Sequence, residues 1–145
     1  IVTGLFLWLL YMVLFVLMYK YDFTKTHINL MMLNSFIFTI TVVAMSVMIA
    51  NLIKNENAIS GVMNVVSLGS SFLCGAFAPQ ELLGDTALTL GRVFPGFYYI
   101  QSNDMLMEKP EFSTMLPNVL IMAGFAIAFI IISVVAKPKA NDNIN

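Results

Sequence analysis

The sequence predicts an all-α fold: a polytopic helical membrane protein with four transmembrane helices and a short external or re-entrant helix pair between the last two. Three observations predict it. Of the 145 residues, 59% are hydrophobic and only 10% charged, where soluble domains carry about 25% charged residues. The charges are also segregated, so that no charged residue occurs in Ile1–Tyr19, Ile28–Ile53, Asn57–Gln80 or Phe112–Ala136. Finally, each run approaches or exceeds the roughly 20 residues that cross a bilayer core at ~1.5 Å rise per residue. A single apolar run in lipid satisfies its own backbone only as a helix. A soluble bundle with a greasy surface is the competing class, and the scarcity of charge disfavours it.

The spans fall at 2–18, 30–53, 58–76 and 117–136. The first is almost wholly apolar and reads as lipid-facing. Lys20, Asp22, Lys25 and His27 make its connection to the second, and Tyr11, Tyr19, Tyr21 and Phe23 crowd there as an aromatic belt at the headgroup boundary. Lys54-Asn55-Glu56-Asn57 is so short that the second and third spans must form an antiparallel hairpin. The 137–145 tail is polar, with Lys137 and Lys139 flanking the last span. The chain opens on Ile1, already apolar and without a basic leader, so it reads as a piece of a longer protein whose N-terminal part is missing.

The third connection, 79–116, is the unusual one. It is too apolar for a plain loop, yet it holds Pro79, Glu81, Asp85, Arg92 and Pro95. Pro79 suits the end of one helix and Glu81 the first turn of another. Leu82, Leu83, Leu88, Leu90, Val93 and Phe94 supply an apolar face, with Asp85 and Arg92 on the more polar side. Gly91 and the Phe94-Pro95-Gly96 corner break this helix, and a second follows over about 97–107 with Tyr98, Tyr99 and Asp104. The pair, over about 80–107, either lies in the interface or dips into the membrane, where irregular backbone is tolerated if protein buries it.

Composition excludes several functions. Net charge is −1 with no basic block, so nucleic acid is not an expected partner. The one cysteine, Cys74, has no intrachain partner and reads as a buried thiol. No phosphate-binding Gly-rich loop is present. One His, one Cys and scattered carboxylates lack metal-site spacing. The serines Ser70 and Ser71 have no base within any span, which argues against intramembrane proteolysis. No span holds a charge, so proton- or ion-coupled carriage, which places ionisable groups in spans, is disfavoured. The chain reads as a non-enzyme.

In the third span, Gly61, Asn64, Ser67 and Ser71 recur at three- or four-residue spacing and share one face. Small residues let helices approach closely, and Ser or Asn can bond across the contact. The face serves either packing within the subunit or a substrate path or dimer seam. Asn34, Ser35, Thr39, Thr41 and Ser46 give the second span a thinner polar scatter with the same two readings. Basic residues split four against three between the two sides, which leaves orientation open. Most acidic residues fall on the side of the third connection, a mild sign that this side is external.

The run from Gly75 to Leu83, with Pro79 and Glu81, followed by Arg92-Val-Phe-Pro95-Gly-Phe-Tyr98-Tyr, resembles the C-terminal signature of ABC-2 type (type-2 ABC exporter) permeases. There a span ends in a small-Phe-x-Pro-x-Glu-Leu pattern. A re-entrant external helix pair, a Pro-x-x-Tyr corner and the last span follow. The resemblance covers roughly 51–136. It implies the last four helices of a six-helix half-transporter, with the tail and the Lys54–Asn57 loop cytoplasmic and the third connection outside a bacterial plasma membrane. It implies a partner ATP-binding cassette ATPase that holds ATP-Mg, a second permease half (identical or different) and surrounding membrane lipid, with no cofactor on this chain. Asn64, Ser67 and Ser71 become candidates for the substrate path, and Pro79, Glu81, Arg92, Pro95 and Tyr98 for an external lid. The alternative is a membrane scaffold that assembles other subunits without transporting.

Overall fold

A computed structural model describes residues 2–19 and 26–136. The polar tail and the middle of the first connection, with Tyr21 and Phe23 of its expected aromatic belt, lie outside the described residues. The described chain is helical, with no strand: α1 (Val2–Tyr19), α2 (Thr26–Leu52), α3 (Glu56–Cys74), a 3-10 turn (Gln80–Leu82), α4 (Asp85–Gly91), α5 (Pro95–Glu108) and α6 (Phe112–Val135). Ile28–Leu52, Asn57–Cys74 and Phe112–Val135 are long and apolar enough to cross a membrane, whereas the apolar Val2–Met18 is shorter than such a span. Their outward faces carry large apolar side chains such as Val65, Leu120 and Val135, as lipid-facing helices do.

The ends of the helices follow from local chemistry. Asn55 caps α3, its side chain accepting from the Asn57 N–H at 3.0 Å. At the other end Gly75 turns left-handed, with φ of 96°. The N–H groups of both Gly75 and Ala76 donate to the Ser71 carbonyl. This Schellman-type end stops α3 at Cys74, two residues before the expected 76, because glycine enters the left-handed region without the Cβ penalty. The Phe72 and Phe77 rings close over it at 4.5 Å. The expected start of the last span at Pro117 is also displaced: α6 begins at Phe112 and Pro117 lies inside it. Proline there removes the bond to the Ser113 carbonyl and crowds that carbonyl with its ring, a disturbance confined to the N-terminal part of the helix. The expected helix from 80 divides into the 3-10 turn and α4, with Gly84 extended between them and Asp85 favouring the first turn of α4. Pro95 opens α5 at N1, where its missing N–H is harmless.

The core is the α2–α5–α6 trio, in which α2 packs most extensively on α6. Its centre holds Leu106, Met115 and Met122, all fully buried. Polar side chains on α2 tie it to its neighbours. Asn34 Nδ2 donates to the Tyr99 carbonyl at 3.0 Å and to Asn103 Oδ1 at 2.9 Å. Thr41 Oγ1 shares its one proton between the Ile37 carbonyl of its own helix at 3.0 Å and the Met122 carbonyl of α6 at 3.3 Å, and Asn51 Nδ2 donates to Ser133 Oγ at 2.7 Å. Asn34 and Thr41 therefore serve packing within the chain.

The outer helices are held differently. α1 lies against α2 where Gly4 meets Val43, and Trp8 Nε1 donates to Ser35 Oγ at 3.1 Å. α3 touches α2 only lightly despite the short connection between them, and leans on α4 and α5 through its C-terminal end.

Candidate functional site

The site is built where α3 ends and the α4–α5 corner folds back. α5 runs antiparallel to α2 and α6, and its contacts fix how far the corner reaches. Asn103, toward the C-terminal end of α5, meets Asn34. One turn along, Tyr99 stacks on Phe38 at 4.4 Å, at the middle of α2. The Tyr98 ring lies 6.0 Å from Phe125, just past the middle of α6. Phe94, Pro95 and Gly96 go further still and face Val42 and Met45. The corner thus sits beside the central turns of both long helices.

Close contacts and hydrogen bonds lock the corner to the last turn of α3. The Gly91 Cα abuts the Leu73 carbonyl so closely that a Cβ there would overlap it. A Cβ at Gly96 would stand 3.2 Å from Cys74 Sγ. Gln80 Nε2 donates to the Cys74 carbonyl at 2.8 Å and to the Phe97 carbonyl at 3.1 Å. The first of these bonds satisfies a carbonyl that the end of α3 would otherwise leave orphaned. Tyr98 Oη donates to the Arg92 carbonyl at 3.1 Å and closes the turn between α4 and α5.

The two larger cavities at this junction are lined differently. The inner one, about 180 Å³, lies between the corner and the small-residue face of α3, bordered by Ser67, Ser70, Ser71 and Pro95 with Phe38 and Met45. Ser70 and Ser71 both donate to the Ser67 carbonyl, at 3.1 and 2.7 Å, so their hydroxyls are spent on the helix itself. The other, about 510 Å³, lies between the 75–81 segment and α5, with Pro79, Glu81, Asp104 and Glu108 in its wall. Burial first, and the negative charge of Glu81 second, raise the Asp104 pKa above its ordinary value.

The residues picked from sequence therefore divide. Ser67, Ser71 and Pro95 meet at one cavity. Pro79 and Glu81 border the other. Asn64 is exposed one turn away on α3 and borders neither. Arg92 is an exposed C-cap of α4 that contributes its carbonyl, and Tyr98 packs between Phe97 and Phe125. Sequence reasoning missed Gln80, and it took Gly91 and Gly96 as helix breakers without seeing that they are points of close approach to α3. The available signal was a polar amide inside an apolar stretch just after Gly75, and two glycines five residues apart around a proline.

A family model described as "ABC-2 family transporter protein" matches residues 1–135. No curated protein and no solved structure matches the chain.

Proposed function

The chain belongs to the ABC-2 family of transporter proteins, and on that footing we propose that it is the membrane-spanning half of an exporter driven by ATP hydrolysed on a partner subunit. ATP-Mg is bound by that partner and not by this chain, and two permease halves, identical or different, complete the path. α1 joins α2, α3 and α6 as a fourth span. The C-terminal tail is cytoplasmic, in a bacterial plasma membrane, and α4–α5 is a re-entrant pair entered from outside.

The observation that carries this reading is the meeting of Pro95 with Ser67 and Ser71 around one cavity beside the middle of α2. A helix pair that returns to mid-bundle depth closes a pathway from one side. Non-helical backbone at such depth is tolerated because protein covers it, and Pro95, Phe97 and Gly91 are all buried. Ser67 and Ser71 line the path, and the corner with Pro79, Glu81, Arg92, Pro95 and Tyr98 forms the lid. The absence of charge from the spans fits a machine whose energy arrives from outside the membrane.

The test is co-purification of the full-length protein in mild detergent. A nucleotide-hydrolysing subunit recovered in roughly equal amount, or a nucleotide-binding domain on the same chain, is the expected result. Neither being found would remove the power source and leave the scaffold reading.

A further inference from the structure

We propose that Gln80 is the residue that couples α3 to the gate, making the end of α3 and the start of α5 move as one body. The proposal rests on the exporter reading above. α3 packs lightly on α2 and is held through its last turn, so it is a lever anchored at one end. α5 is the opposite, wedged between α2 and α6.

The contacts that join the two differ in kind. Gly91 against Leu73 and Gly96 against Cys74 are close packing, which resists approach but yields to sliding or separation, and the Cys74 thiol adds only a long, weak hydrogen bond to the Gly91 carbonyl at 3.9 Å. The Gln80 amide donates from one nitrogen to the Cys74 carbonyl on α3 and the Phe97 carbonyl on α5. Those bonds are directional and resist both sliding and separation. Gly75 makes the arrangement possible, because a Cβ there would stand 2.7 Å from Gln80 Cγ. Gln80 is thus a direct link between an element free to swing and the element that carries the lid. Coupling of this sort needs such a contiguous connection between two bodies with distinct positions.

The test follows the two bodies separately in the full-length protein assembled with its ATPase in lipid. Nitroxides go on the exposed positions Val65 of α3 and Val93 of the corner, each paired with a label at exposed Ile131 of α6. Cys74 is buried and does not compete for label. Without a substitution at Gln80, trapping with ATP and vanadate should shift both distances. In Gln80→Leu the Val65–Ile131 distance should still shift while the Val93–Ile131 distance keeps its nucleotide-free value. Gln80→Glu, which keeps the volume but presents acceptors to two acceptors, should behave the same at neutral pH if the leucine variant folds poorly. A Val93 label that still follows nucleotide in either folded variant overturns the coupling role and leaves the exporter reading intact. No shift of either label before Gln80 is touched overturns both.

Discussion

The carbonyl of Leu73 and the Cα of Gly91 are in direct contact, with no space between them for a side chain. This places α4 against the last turn of α3 closely enough for a Cα–H to face a carbonyl oxygen, a recurring feature of helix contacts. Because the obstacle is backbone, it cannot rotate aside as a side chain would.

Gly91→Ala should therefore destabilise the protein by about 1–3 kcal/mol, the range for overpacking a close contact. Gly124→Ala is the control. Nothing stands within 4 Å of a Cβ at that position in α6, so alanine should raise stability by about 0.5–1 kcal/mol through helix propensity. Thermal melts of both variants in one detergent check the opposite signs.

Gly75 makes a separate prediction. At φ of 96° an L side chain costs about 1–2 kcal/mol from backbone strain alone, and Gln80 adds a clash. Gly75→Leu should lower the melting temperature, and amide exchange should rise first in 75–83. An unchanged melt would mean that the end of α3 is not held as described.

Asn34 is fully buried and donates two bonds to α5. Asn34→Ala should cost about 0.6–1.7 kcal/mol, the scale of polar contacts between membrane helices. Phe38→Ala, which removes the half-buried ring stacked on Tyr99, should cost about 0.5–1.5 kcal/mol for the lost ring pair, beyond the area it uncovers. Chemical unfolding in mixed micelles can compare the two.

Asp104 predicts a pH dependence. Its carboxyl titrates above the ordinary 3.8 because of burial and then the Glu81 charge. For an acid with a raised folded value, the penalty is fully present above that value and vanishes below the unfolded one. Asp104→Asn should thus be the more stable protein at pH 7. The gap should close as pH falls through the raised Asp104 value toward 3.8. Parallel melts across that window test the sign, since the carboxylates that do not interact with Asp104 cancel between the two proteins.

The long helices were legible because charge-free runs leave the backbone no alternative in lipid. The corner was legible because Pro95 and its glycine neighbours interrupt an apolar helix. What escaped has a common cause. Cys74 ends α3 because of a left-handed Gly75, and Pro117 sits within α6 because its helix starts in the preceding polar segment. Composition does not resolve boundaries at that level. Gln80 acts through two carbonyls from distant parts of the chain, a relation that side-chain identity alone does not reveal. Asn64 shared a helical face with Ser67 and Ser71, but the corner covers only the C-terminal part of that face.

The most direct test of the account is the membrane depth of the corner. Nitroxides at Val93, on the corner, and Met107, near the far end of α5, are both exposed on the isolated chain. In reconstituted full-length protein, collision with oxygen and with a water-soluble nickel complex reports how deep each lies. The account predicts Val93 deeper in the bilayer than Met107, by about 18 Å over the stretch from Pro95 to Met107 if α5 stands along the membrane normal at ~1.5 Å per residue. Equal depths at the headgroup level would make α4–α5 an interfacial pair and contradict the re-entrant gate.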